Sequence, residues 1–183
     1  MTDEDARELC RSLLAVELPR RWAHCQGVAR QAATIGPVLG EYAGVVEAAA
    51  WLHDIGYASP LVDSGFHPLD GARYLRDHGF GDRPLWTLVA HHTCAQIEAD
   101  ERGLGAELAA EFPIGDVVPS AVAALTHCDM TTGPDGQRVD VEQRIAEILT
   151  RYPSDHVVHR SIARAAPSLR RQVAEVSALV GTA

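Results

Sequence analysis

Lysine is missing from this chain: all sixteen basic residues are arginine, set against 25 acidic ones, for a formal charge of −9 over 183 residues. The substitution of arginine for lysine throughout reads as coding bias and carries no functional message. The acidic balance offers no overall positive field to nucleic-acid phosphates or an anionic membrane surface, so neither is expected as a partner. Aromatic residues make up only 5% and cysteines number four, Cys10, Cys25, Cys94 and Cys128, with no CxxC pair. That excludes a disulfide scaffold or a zinc knuckle and fits reduced thiols. No apolar run approaches the roughly 18 residues of a membrane span. The opening MTDEDARELC lacks the charged start and apolar core of a signal peptide, so the cytoplasm is the expected compartment. What is present, 46% hydrophobic and 22% charged residues, suits a folded chain read as one domain over 1–183, large enough to bury a core unaided.

Apolar positions recur at three and four residues along most of the length, and no stretch alternates with period two, which predicts an all-α bundle. Pro19 suits an opening turn, and Trp22, Val28, Ala32 and Ile35 continue an apolar face until Gly36-Pro37 is expected to stop it. Val45 to Ile55 is apolar nearly all round, the mark of a central buried helix, with Gly56 placed for a left-handed cap. Helices are further expected from His67-Pro68 to His78-Gly79, from Asp82-Arg83-Pro84 to His91-His92, over 96–111, and from Pro119 towards Asp129. Segments of about 140–151, 155–165 and 167–180 complete the bundle.

Nine histidines are many for this length, and five of them fall at or beside expected helix ends in the order His24, His53-Asp54, His67, His91-His92, Asp129. Imidazole and carboxylate form the ligand set of borderline and hard divalent metals, and a bundle-core metal site draws its ligands from facing helices in this way. Adjacent helical residues point about 100° apart, so His53 and Asp54 can act together only where their helix ends. His67 and His91 bracket a helix-turn-helix of 25 residues and are expected to return to one ion, whereas His92 joins only if its helix ends there. Arg20 and Arg21 precede His24 by four and three residues, share its face at helical spacing, and can aim guanidinium groups at the centre. Arg73, Thr93, Thr131 and Thr132 are weaker candidates for the rim. His78, His127, His156 and His159 are expected to cap or to lie in solvent, and Cys25, Cys94 and Cys128 to be small buried side chains.

The order H…HD…H…HH…D, with Leu52-His53-Asp54-Ile55-Gly56 as its densest match, resembles the HD-domain superfamily of metal-dependent phosphohydrolases over about residues 20–130. The resemblance implies a helical bundle and a first metal held by His24, His53, Asp54 and Asp129. It implies in addition that Asp54 bridges to a second metal on His67, His91 and His92, as in dinuclear members. Two divalent ions follow, Fe or Mn first, with Co, Ni, Zn or Mg open. The implied activity is hydrolysis of a phosphate ester or anhydride of a small molecule, a nucleotide first, by a metal-activated hydroxide. Asp54 would orient the nucleophile, with Arg21, alone or with Arg20, on the phosphate. Tyr57 stands where many members carry Lys or Arg, and the HHE, GYP and HDTxED runs of the cyclic-dinucleotide and ppGpp hydrolases are missing. Two alternatives stay open: a mixed-valent di-iron oxygenase that cleaves C–C or C–P bonds, and a metal-stabilised regulatory domain without turnover.

Overall fold

The computed structural model describes residues 1–182. It is built from α1 (Asp3–Leu14), α2 (Pro19–Leu39), α3 (Ala43–Leu52), α4 (His67–Asp77), α5 (Arg83–His91), α6 (Ala95–Arg102), α7 (Gly105–Glu111), α8 (Pro119–Met130), α9 (Val141–Arg151) and α10 (Val157–Gly181). Short 3₁₀ turns join several of these, and no strand occurs among the described residues. The chain is all-α. No single helix is long and apolar enough to cross a membrane.

Helix ends follow side-chain chemistry. Thr2 and Asp5 form a reciprocal capping box at α1, a helix the sequence reading left unassigned, and Asp140 and Gln143 form another at α9. Asp82 caps α5, and proline opens α2, α4, α5 and α8, where its missing N–H has no intrahelical partner to lose. The main hydrophobic core joins α1, α2, α3, α5 and the inner face of α8. A second cluster, Met130, Ile145, Ile148, Ile162, Ala165, Ala166, Leu169 and Val173, seats α9 and α10 against the end of α8.

Three helix boundaries differ from expectation. Gly36-Pro37 does not stop α2, which continues to Leu39; proline so near the end removes only one intrahelical bond. The 96–111 segment is two helices because Gly103 adopts φ 76 and turns the chain. Conversely, 155–165 and 167–180 form one helix with Pro167 inside it. Ala165, Ala166 and Leu169 flank that proline and are buried, so tertiary packing outweighs its local cost of about 3 kcal/mol.

Candidate metal centre

α3 is apolar because it is the middle of the bundle, with Val46, Ala48, Ala49, Ala50, Trp51 and Leu52 all buried. It ends at His53, and Asp54 leaves the helix with φ −105 and ψ 5, so the two adjacent side chains need not diverge by a helical step. Gly56 is not the left-handed cap expected of it. Its role is close approach: a Cβ there would sit 2.1 Å from the carbonyl oxygen of His67. The missing side chain lets the turn after α3 lie directly on the start of α4, where His67 stands. The loop before His67 is fixed by the buried Asp70 carboxylate, which accepts from the backbone amides of Asp63, Ser64 and Gly65 and from the Ser64 hydroxyl.

His24 and Asp129 come from α2 and α8, two helices that meet side by side. At Gly27 a Cβ would lie 2.5 Å from the Thr132 side chain and 2.6 Å from the Gly136 carbonyl oxygen, so glycine allows the loop after α8 to press on α2. The contact carries the Gly133 carbonyl to His24, whose Nδ1 lies 3.0 Å from it. Thr93 and Cys94 follow His92 with φ of 52 and 59, two successive left-handed non-glycine residues. For β-branched Thr93 that is a strained conformation, and it delivers the Thr93 hydroxyl to Asp129 Oδ2.

The result is a cluster in which Asp54 faces both ways. Its Oδ2 lies 3.3 Å from His53 Nε2 and 3.8 Å from His24 Nε2. Its Oδ1 lies 3.2 Å from His67 Nε2 and 3.9 Å from His92 Nε2. His24 Nε2 is 3.0 Å from Asp129 Oδ1, and His67 Nε2 is 3.2 Å from His92 Nε2. Donor atoms of His24, His53 and Asp129 fall within 4.8 Å of one another, and so do those of Asp54, His67 and His92.

Three of these imidazoles are oriented from behind. His24, His53 and His92 each place Nδ1 against a backbone carbonyl, of Gly133, Ala50 and Val89, at 3.0, 3.0 and 2.7 Å. A carbonyl only accepts, so each Nδ1 keeps its proton, and the inward-pointing Nε2 is the nitrogen that can give up its own to a cation; this is how metal-ligating histidines are held. His53 Nε2 is fully buried and has no hydrogen-bond partner, since the 3.3 Å contact with Asp54 lacks hydrogen-bond geometry. An orphaned ring nitrogen aimed at two carboxylates fits a cation that would occupy the space between them. These buried His and Asp groups can hold metal ions.

The cluster's charge is strongly coupled. Burial disfavours the Asp54 carboxylate, but Arg21, 2.7 Å away, and then His53 outweigh it and hold its pKa well below the usual carboxylate range. Asp129 is also driven down despite burial, chiefly by its hydrogen bond with His24. Burial lowers His53, yet the Asp54 charge overrides this and lifts it to about 10. For His92, burial, with His53 and His67 adding, outweighs Asp54 at 3.9 Å and pushes it to about 3. Burial and a hydrogen bond with Cys10 raise the Cys25 thiol, which adjoins His53 and Asp54 but stays neutral.

The placement departs from expectation at His91. α5 ends there, and the chain turns so that adjacent His91 and His92 point in different directions. His91 Nε2 reaches the carbonyl of Phe112, at the end of α7, at 2.7 Å, outside the cluster. It is His92, the residue whose placement depended on a helix end, that meets His67. Arg20 also departs: it forms a two-pronged pair with exposed Asp135 at the rim. Arg73 is tied to Glu107 and Glu111 on α7 and lines neither cavity at the cluster. His127 is buried against the Val173 carbonyl where a cap or solvent was expected, and Thr131 and Thr132 donate to carbonyls one turn back in α8. His156 does cap, at the start of α10.

Three residues to which the sequence assigns no role join the site. Tyr57 stacks on His67 with centroids 3.9 Å apart, while the Arg21 guanidinium lies 4.1 Å from the centre of the same ring. Arg144 and Arg151, from α9, line the cavity in front of the cluster. Their signal was present as two arginines seven residues apart around Glu147, but nothing local connects them to residues 90 positions earlier.

Comparison with curated proteins and with solved structures gives no match in either. The HD-domain family model matches residues 21–152, which span every residue of the cluster and all of α9. The chain belongs to the HD-domain superfamily.

Proposed function

We propose that the protein is a metal-dependent phosphohydrolase acting on a phosphate ester or anhydride of a small molecule. The observation that carries this reading is the inward set of Nε2 atoms on His24, His53 and His92, locked from behind by backbone carbonyls and converging with His67 on the two oxygens of Asp54. His24, His53 and Asp129 would hold one ion, His67 and His92 a second, and Asp54 would serve both. Divalent cations there supply Lewis acidity and lower the pKa of a bound water.

The chain's own groups do the rest. Arg21 is held against Asp54 by a 2.7 Å contact and against Tyr57 by its flat face, so its remaining N–H groups can meet a phosphoryl oxygen in a fixed direction. The Thr93 hydroxyl, donated to Asp129 Oδ2, fixes that carboxylate so that Oδ1 faces His24. The cavity in front of the cluster measures about 90 Å³ and carries Phe66, Pro68, Ile148, Val158 and Ile162 opposite the polar residues, a wall that limits water around the reacting group. A second cavity of about 430 Å³, lined by Pro19, Pro134 and His24, shares Arg21, Arg144 and Arg151 with the first. For a nucleotide, the inner space takes the phosphoryl group and the outer space the nucleoside.

Phosphate release from a panel of small phosphate esters and anhydrides, by protein loaded with Fe, Mn or Co, tests the reading, with Asp54→Ala as control. Turnover in the wild type and none in a folded variant is expected. Substrate-dependent oxygen consumption without phosphate release would replace it by the oxygenase, and inertness of fully loaded protein in both assays by the regulatory domain.

A further inference from the structure

The molecule carries a net charge of −9, yet Arg20, Arg21, Arg144 and Arg151 gather around the outer cavity. Arg20 and Arg21 have a carboxylate each, Asp135 and Asp54. Arg144 and Arg151 share one: Glu147 lies 2.8 Å from Arg144 Nη1 and also accepts from both Nε and Nη2 of Arg151. The next carboxylate, Asp129, is 3.7 Å from Arg144 Nη2 and is already engaged by His24 and Thr93. Apart from that 3.7 Å contact, the two guanidinium groups depend on a single carboxylate. Arg144 is only 5% exposed, and its Nε has no hydrogen-bond partner. A buried guanidinium left short of partners costs stability unless something else completes its surroundings.

The geometry of α9 explains how both arginines reach one place. Residues 144, 147, 148 and 151 lie on one helical face over about 10 Å of axis. Arg144, Ile148 and Arg151 line the inner cavity, and both arginines line the outer one. The helix therefore stands where a substrate passes from one space to the other. Arg21 is the guanidinium paired directly with Asp54, and the α9 arginines stand beside it along both cavities.

We propose that Arg144 and Arg151, braced by Glu147, bind a second anionic group of the substrate, a phosphate or a carboxylate carried a short distance from the phosphoryl group that reacts. This rests on the phosphohydrolase reading for the first group and names what the second must be. Glu147 acts as a placeholder: it keeps the two forks oriented in the free protein and is partly displaced when the anion arrives.

Equilibrium binding to Mg-loaded protein separates the two ideas, using three probes that cannot be hydrolysed: propylphosphonate, 3-phosphonopropionate and propane-1,3-diphosphonate. The wild type is expected to bind one or both of the probes with two anionic groups at least about tenfold more tightly than propylphosphonate, the effect of one charge-assisted contact. Whichever probe gains identifies carboxylate or phosphate as the second group. Arg151→Gln, at a partly exposed side chain, should remove most of that ratio. Glu147→Gln should enlarge it by releasing both guanidinium groups, the reverse of what loss of a purely structural carboxylate would do. Arg164→Gln, on the outer surface of α10, should leave it unchanged. A ratio near one in the wild type, a ratio indifferent to Arg151, a fall with Glu147→Gln, or an equal response to Arg164→Gln would each overturn the proposal. Absence of phosphate release from every ester, with these ratios intact, would instead remove the phosphohydrolase reading and leave the anion subsite standing.

Discussion

The two halves of the cluster are built to different standards of rigidity. On one side of Asp54, His24, His53 and Asp129 are buried on helices or helix ends, with both imidazoles locked through Nδ1 by carbonyls of Gly133 and Ala50. On the other side His92 is locked in the same manner, but His67 keeps 17% of its side chain exposed and is positioned by stacking on Tyr57. Asp129 lines the inner cavity and His24 the outer one, so of the first half only His53 is shut off from both, whereas His67 and His92 both face the inner cavity. The first, closed half is thus the more rigidly held, and the second, open half the more loosely held. Rigidity more than access separates two groups that share one carboxylate.

The largest expected effect comes from removing what they share. Asp54→Asn keeps the side chain's shape but gives both halves a neutral amide, so elemental analysis should show both ions lost or weakened and turnover should fall by orders of magnitude. Arg21 also loses its counter-ion there, and breaking a buried pair on one side costs about 3–5 kcal/mol, which thermal unfolding of the metal-free protein will read. Full metal content in this variant would mean that Asp54 joins neither half.

Next in size is the asymmetry between the halves. His67→Ala is expected to lower metal content from about two to about one per chain and to depress activity strongly, leaving the ion on His24, His53 and Asp129 in place. His24→Ala should disturb the closed half first. Loss of both ions in both variants would erase the distinction and point to one cooperative site.

Adjacent His91 and His92 show how much of the site could be read from the sequence. The HD doublet and the helix openings at Pro19, Pro68, Pro84 and Pro119 are local signals, and the structure ends α3 at the doublet and opens α2, α4, α5 and α8 at those prolines. The choice between His91 and His92 is not local. It depends on α5 ending at His91 and on two left-handed residues, Thr93 and Cys94, in a stretch without glycine to announce the turn. Arg144 and Arg151 were silent for a related reason: their role exists only because α9 packs across the end of α8, a long-range contact with no pattern of its own. Gly56 was noticed for the wrong property, since close approach to His67 leaves no trace in local periodicity.

That choice can be tested directly. His92→Ala should reduce metal content and activity, whereas His91→Ala should leave metal stoichiometry near two. Its cost is a different one: the Phe112 carbonyl loses its partner and a cavity opens beside α7, for about 1–3 kcal/mol of stability. Equal loss of metal in both variants would contradict the observed direction of His91.

A smaller effect separates Tyr57 as a positioning residue from Tyr57 as filler. Its ring lies between His67 and Arg21, while its hydroxyl accepts or donates no hydrogen bond among the described residues. Tyr57→Phe preserves both stacking contacts and should change metal affinity little. Tyr57→Leu should loosen His67 and weaken the second ion by about tenfold, within the 10–100-fold range for residues that orient ligands. The first ion should be less affected, because the ring stacks on His67 and Arg21, neither of which is among its ligands. If leucine and phenylalanine behave alike, the stack does not position His67, and the open half owes its geometry to His92 and Asp54.

The smallest effect lies outside the cluster, where α4 and α7 are tied by Arg73 and Arg76 to Glu111. The Arg73 hydrogen bond, opposed by partial burial and aided by Arg76, holds the Glu111 pKa below its ordinary value. A depressed folded-state pKa means that the contribution to stability is complete above the ordinary glutamate value of about 4.3 and is lost as pH falls through the lower folded value. Partly exposed pairs of this kind contribute about 0.2–1 kcal/mol each. Thermal unfolding in Glu111→Gln should therefore show a reduced melting temperature at pH 7 and a difference from wild type that shrinks towards pH 3. Metal content at pH 7 should not change, because Glu111 pairs with Arg73 and Arg76 on α4, neither of which pairs with a member of the cluster. A change in metal content would show that the α4–α7 tie fixes His67 as well, and that the open half of the cluster is stabilised from further away than its own contacts suggest.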